Sequence, residues 1–172
     1  EAYTNNYTKI WECGGNTGGD NVTSGYNTGI GYHALYKLET GTGNFAAGYA
    51  AMFNTVSSSY CTVIGYAAGL SLTSGSHNVA IGQEALYLAQ TVSHNVAIGY
   101  RAARTSVAGN VIAIGQEAFG VNSGTHGGQY SVAMGVQAGY RIGTGTDVGN
   151  VLIGYQAGYG NATPAAATYN VA

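Results

Sequence analysis

The sequence predicts an all-β solenoid of about eight to nine coils. Three observations predict it: a glycine that recurs every seventeen residues or so, apolar residues one and three places before it, and an alanine three places after it. The glycine falls at Gly31, Gly48, Gly65, Gly82 and Gly99, and then at Gly115, Gly135 and Gly154 after intervals of sixteen, twenty and nineteen. The alanine follows every time, from Ala34 and Ala51 to Ala138 and Ala157. The residue before the glycine is Ile30, Ile64, Ile81, Ile98, Ile114 or Ile153, with Ala47 and Met134 as substitutes. Three places before it stand Thr28, Phe45, Thr62, Val79, Val96, Ile112, Val132 and Val151. Apolar slots two apart are strand alternation, not helical spacing. Several glycines per unit, at about 1 kcal/mol each inside a helix, argue against a helical repeat.

Taken in order, residues 1–20 are irregular and read as a cap or connector, although Gly14 stands seventeen before Gly31 and marks a degraded leading repeat. Residues 21–159 form the repeat array. Each unit is expected to hold a short strand, a bend at the glycine, a second short strand over the portion that follows, and a loop that absorbs the longer intervals. Residues 160–172 read as a loop and the start of a further repeat, since Asn170-Val171-Ala172 is a unit cut short. On that ground, and because it opens on Glu1, the chain is expected to be a segment of a longer protein.

Stacking at about 4.8 Å per coil turns recurring letters into columns. Four places before the glycine stand Asn27, Asn44, Asn78, Asn95 and Asn150, with Cys61 and Ser131 substituting, a column of amides able to hydrogen-bond along the stack. Two places after it, Glu84, Arg101 and Glu117 alternate in sign and predict an ion-pair column. One place after it, Tyr32, Tyr49, Tyr66, Tyr100 and Tyr155 make a broken aromatic ladder, a candidate ligand-facing surface. Phe45 sits in the coil where the isoleucine shrinks to Ala47. The apolar pair is expected to form each coil's core. The small residues between them (Gly29, Ala46, Val63, Ala80, Ala97, Ala113, Ala133, Leu152) are expected to form a smooth outer face for self-association, most simply three copies around an axis.

Composition narrows the function classes. Charged residues are 7% of the chain, hydrophobic residues 45%, and the net charge is −2. There is no basic patch for nucleic acid, and no apolar run long enough to span a bilayer. Glycine does not fall every third residue, which excludes collagen.

The units "NVAIGQEA", "NVAIGYRA", "VIAIGQEA", "SVAMGVQA" and "NVLIGYQAG" resemble the head repeats of trimeric autotransporter adhesins and, more closely, the "GYQAGY" repeats of bacteriophage tail fibres. The resemblance covers about residues 26–159. It implies a left-handed parallel β-roll, a homotrimer, and an extracellular role in a virion tail fibre or on a bacterial surface. In that role the segment would carry or present a host-binding surface for a cell-surface glycan or protein. The family's usual unit is nearer fourteen residues, so the longer spacing here implies longer loops. The alternative function is a subunit of a self-assembling extracellular solenoid filament. Ice binding would need a regular threonine column, which Thr28 and Thr62 do not continue.

The remaining candidates have plainer readings. Cys13 and Cys61 fall in different columns, about 14 Å apart by stacking, and are expected to be free thiols. His77 and His94 share a column in adjacent coils, but no third His or Cys continues it, so no metal or other cofactor is expected. Glu84 and Glu117 stand about 10 Å apart with Arg101 between them, and Arg101 would lower both pKa values, the wrong direction for a general acid. No catalytic residue is named, and the chain is not expected to be an enzyme. The sequons at Asn6, Asn21 and Asn161 matter only in a glycosylating pathway.

Overall fold

A computed structural model of the chain describes residues 11–13, 25–106, 108–120, 129–140 and 149–160, the first three by their backbone pairing alone. Nine three-residue strands stack into one parallel sheet in sequence order: β1 (Trp11–Cys13), β2 (Thr28–Ile30), β3 (Phe45–Ala47), β4 (Thr62–Ile64), β5 (Val79–Ile81), β6 (Val96–Ile98), β7 (Ile112–Ile114), β8 (Val132–Met134) and β9 (Val151–Ile153). The described residues contain no helix, and the fold is an all-β solenoid with one strand per coil.

The register is the one the glycine sets. Ile64 pairs with Ile81 and Ile81 with Ile98. The irregular intervals leave it intact: Val96 pairs with Ile112, Ile112 with Val132, and Val132 with Val151. β1 pairs with β2 as the Gly14 alignment expects, so the first twenty residues contribute a strand.

Stacking satisfies the backbone from coil to coil. The amide of Thr62 donates to the Asn78 carbonyl at 2.8 Å, and Gly65 donates to the Ala47 carbonyl of the coil before it at 2.8 Å. Such bonds continue round the return wall, where Glu84 donates to the Tyr66 carbonyl at 3.0 Å and Leu86 to Ala102 at 3.0 Å.

That return wall corrects one expectation. Among the described residues no second strand follows the glycine; the wall is built of hydrogen-bonded turns, as where Ala34 donates to the Gly31 carbonyl at 3.2 Å and Leu72 to Gly69 at 3.0 Å. Alternate residues there take positive φ, for example Glu84 at 56° and Leu86 at 51°. Alternating handedness curls the chain back within a few residues, and the intercoil bonds keep the amides aimed along the rod. A straight strand would overshoot so small a coil. The strain of a left-handed non-glycine residue, on the order of 1–2 kcal/mol, is offset by those bonds.

The second correction concerns which side of the strand is inside. The residue between the apolar pair is the buried one: Ala46, Val63, Ala80, Ala97, Ala113 and Ala133 are fully covered, while their neighbours lie half-buried or exposed. The core is filled by this column, by the alanine three places after the glycine, and by larger side chains from the return wall such as Leu35, Leu38, Met52, Leu72 and Leu86. A coil of seventeen residues with one three-residue strand encloses a narrow interior. Small residues fit opposite the return-wall leucines; a column of valine and isoleucine would not. The β-branched residues hold the strand conformation from outside.

Bulk is balanced across that interior. Where the inward strand residue grows to Val63 or Leu152, the return wall carries Gly69 or Gly158. A methyl on Gly158 would lie 2.8 Å from Leu152 Cδ2. The core is packed to capacity.

Candidate interaction surface

Inverting the strand puts the valine and isoleucine columns on the outside of the chain. Ile64, Ile112, Met134 and Ile153 are all exposed, Ile153 to 60%. An exposed column flanks this face on each side, just beyond the strand. Before it comes an exposed column containing Tyr26, Tyr60, His77, His94, Asn110 and Tyr130; after it comes the tyrosine ladder. The face is apolar and aromatic, and contains no Lys, Arg, Asp or Glu in any of its four columns from β2 to β9. The expected self-association face of small residues is instead buried.

Within the ladder, Tyr32, Tyr49 and Tyr66 stand together, with ring centroids 5.6 Å and 5.3 Å apart and planes within about 21°. Their faces turn to one another, which leaves ring edges rather than ring faces to offer outward. Gln83 interrupts the column, and Tyr100 and Tyr155 stand apart, Tyr100 beneath the Arg101 guanidinium at 4.8 Å. The structure brings together three of the five tyrosines.

The His77–His94 column gains a third ring, Tyr60, not assigned to it from the sequence. Tyr60, His77 and His94 stack with centroids 5.2 Å and 5.0 Å apart. The signal was present, because Tyr60 lies seventeen residues before His77. The two imidazoles lie face to face, 12° from parallel, and do not converge on a point between them. Among the described residues no three His, Cys, Asp or Glu side chains gather as metal ligands.

The amide column is as the sequence implies. Asn44 Nδ2 donates to Asn27 Oδ1 at 3.0 Å and Asn95 Nδ2 to Asn78 Oδ1 at 3.1 Å. Each amide also donates across the coil, Asn44 to the Ser58 carbonyl and Asn78 to the Val92 carbonyl, both at 2.8 Å. These asparagines are fully buried, and their worth lies in satisfying backbone groups that would otherwise be orphaned. Cys61 takes a place in this column, with its amide on Asn44 Oδ1 at 3.0 Å. Burial pushes its thiol pKa up, against hydrogen bonding from Asn78, so it is an unreactive free thiol. Register places Cys13 in the isoleucine column, three strands away.

The ion-pair column is formed in part. Arg101 Nε meets Glu84 Oε2 at 2.9 Å, and Arg104, which the column reading omitted, meets the same oxygen at 2.9 Å. Glu117 does not extend the alternation; it accepts from Gln137 Nε2 at 2.9 Å, and Gln156 continues the polar column onto Gln137. Burial would raise the Glu84 pKa, but hydrogen bonds from Arg104 and Arg101 outweigh it and hold the carboxyl below its ordinary range. This is a structural arrangement rather than a proton donor's.

No described helix is long and apolar enough to cross a membrane. The three sequons lie outside the described residues. No protein-family model, no curated protein and no solved structure matches the chain.

Proposed function

We propose that the chain is a structural and adhesive segment of a trimeric surface fibre, extracellular, as in a phage tail fibre or a bacterial adhesin head. The single observation that supports it is the apolar face running the length of the described rod, of a kind that monomeric proteins rarely leave in water. The sheet's stacked, charge-poor construction suits a shaft. The fibre would carry or present a surface for a cell-surface glycan or protein.

Sedimentation of the purified chain tests the reading, together with electron microscopy. Discrete short rods of three chains are expected. A compact single chain in solution would remove the proposal, and indefinite fibres would replace it with the end-to-end filament.

A further inference from the structure

We infer that neighbouring copies lie parallel and at the same axial level, with the tyrosine-ladder edge of one copy against the Tyr60–His77–His94 edge of the next. This rests on the oligomeric fibre reading above and specifies its interface.

The face is large enough for a second copy. Its outer columns are six residues apart along the chain with the three-residue strand between them, a width of at most about 20 Å, and eight coils at about 4.8 Å give it a height near 40 Å. The resulting area, at most about 800 Å² per copy, reaches what a stable protein interface requires of each partner. A face without charges invites another face without charges, and nothing on it would repel its own copy.

The two edges also correspond in five of the eight coils, the other three setting ring against ring (Tyr26 with Tyr32, Tyr60 with Tyr66, His94 with Tyr100). In two coils the tyrosine edge is bulky where the opposite edge has only glycine: Tyr49 with Gly43, and Tyr155 with Gly149. In two others both edges turn polar together, His77 with Gln83 and Asn110 with Gln116, all four exposed. Where one edge is Val136, the other is Tyr130. These partners stand on opposite edges of one copy's face with the three-residue strand between them, so it is a neighbour that would bring them into contact. Sliding one copy by a coil would set Val136 against Asn110 or Gly149, and Gln116 against His94 or Tyr130. Closure gives the same answer. Unlike edges meeting is a heterologous contact, and it shuts into a ring only when no axial step accumulates from copy to copy. Antiparallel copies would bring each edge against itself. On this assignment the tyrosines are interface-edge groups, not a free ligand platform.

Paired cysteines test it in the full chain. His77→Cys/Gln83→Cys and, independently, Asn110→Cys/Gln116→Cys are expected to give disulfide-linked oligomers under mild oxidation, since any bond must run between copies. The parent chain oxidised alongside reports bonds through Cys13 or Cys61. The staggered pair His77→Cys/Gln116→Cys, and Gln83→Cys alone, are expected to give none. An oligomer that cross-links through the staggered pair or through Gln83→Cys alone, or through neither matched pair, would overturn the register while leaving the fibre reading intact. A parent that sediments as one chain would overturn both.

Discussion

A methyl group on Gly82 would lie 2.5 Å from the carbonyl oxygen of Gly99, one coil along the rod. The recurring glycine is therefore required twice, by its φ of 129° and by the close approach of the next coil's backbone. Gly82→Ala is expected to lower stability by on the order of 3 kcal/mol or more, through backbone strain and overpacking together. Gly154, at φ 127° with nothing within 4 Å of an added methyl, bears the backbone cost alone. Urea unfolding of the two variants should separate them, and equal losses would contradict the close-approach account.

Ala80 and Ile81 are adjacent on β5 yet face opposite ways, Ala80 fully buried and Ile81 half-buried. The same replacement should therefore do different things. Ala80→Asn forces an amide into a full core and is expected to cost on the order of 3 kcal/mol, unfolding the coil. Ile81→Asn is expected to leave the circular dichroism spectrum in place while shifting the sedimenting species toward single chains. Unfolding by Ile81→Asn with tolerance of Ala80→Asn would restore the opposite facing.

Leu152 occupies the space that Gly158 leaves, so the two are expected to couple. Gly158→Ala adds a methyl 2.8 Å from Leu152 Cδ2 at a φ of 65° and should destabilise by about 2 kcal/mol. Leu152→Ala in the same chain should recover part of that loss, with an interaction energy of about 1 kcal/mol in a double-mutant cycle. Simple additivity would show that the pair does not share one space.

Glu84 links stability to acid. Its folded pKa lies below the unfolded value, because Arg104 and Arg101 favour the charged form more than burial disfavours it. Its contribution is thus present above the unfolded pKa and lost as pH falls through the folded one. Glu84→Gln is expected to flatten that part of the stability–pH profile, seen by thermal melts through the acidic range. A profile unchanged by the substitution would mean that the ion pairs contribute nothing.

Much of this was readable as text. Because each coil repeats the one before it, Ile64, Ile81 and Ile98 recurring at a fixed interval became one stripe in space. The asparagine column followed by the same logic, since an amide has both a donor and an acceptor to pass along a stack. The Glu84–Arg101 contact was legible too; the Arg104 contact was not, because it lies three residues from Arg101 on a wall whose turns the sequence did not reveal.

The spacing of the letters determined by itself that the chain stacks as parallel coils, and in what register. Only the tertiary structure decided which side of each strand lies inside, and that the return wall is turns. Alternation marks two faces without saying which is covered, and here both are apolar. The deciding quantity was the width of the coil, set by how sharply the wall after the glycine doubles back, and an interior that narrow admits Ala80 but leaves Val79 and Ile81 outside.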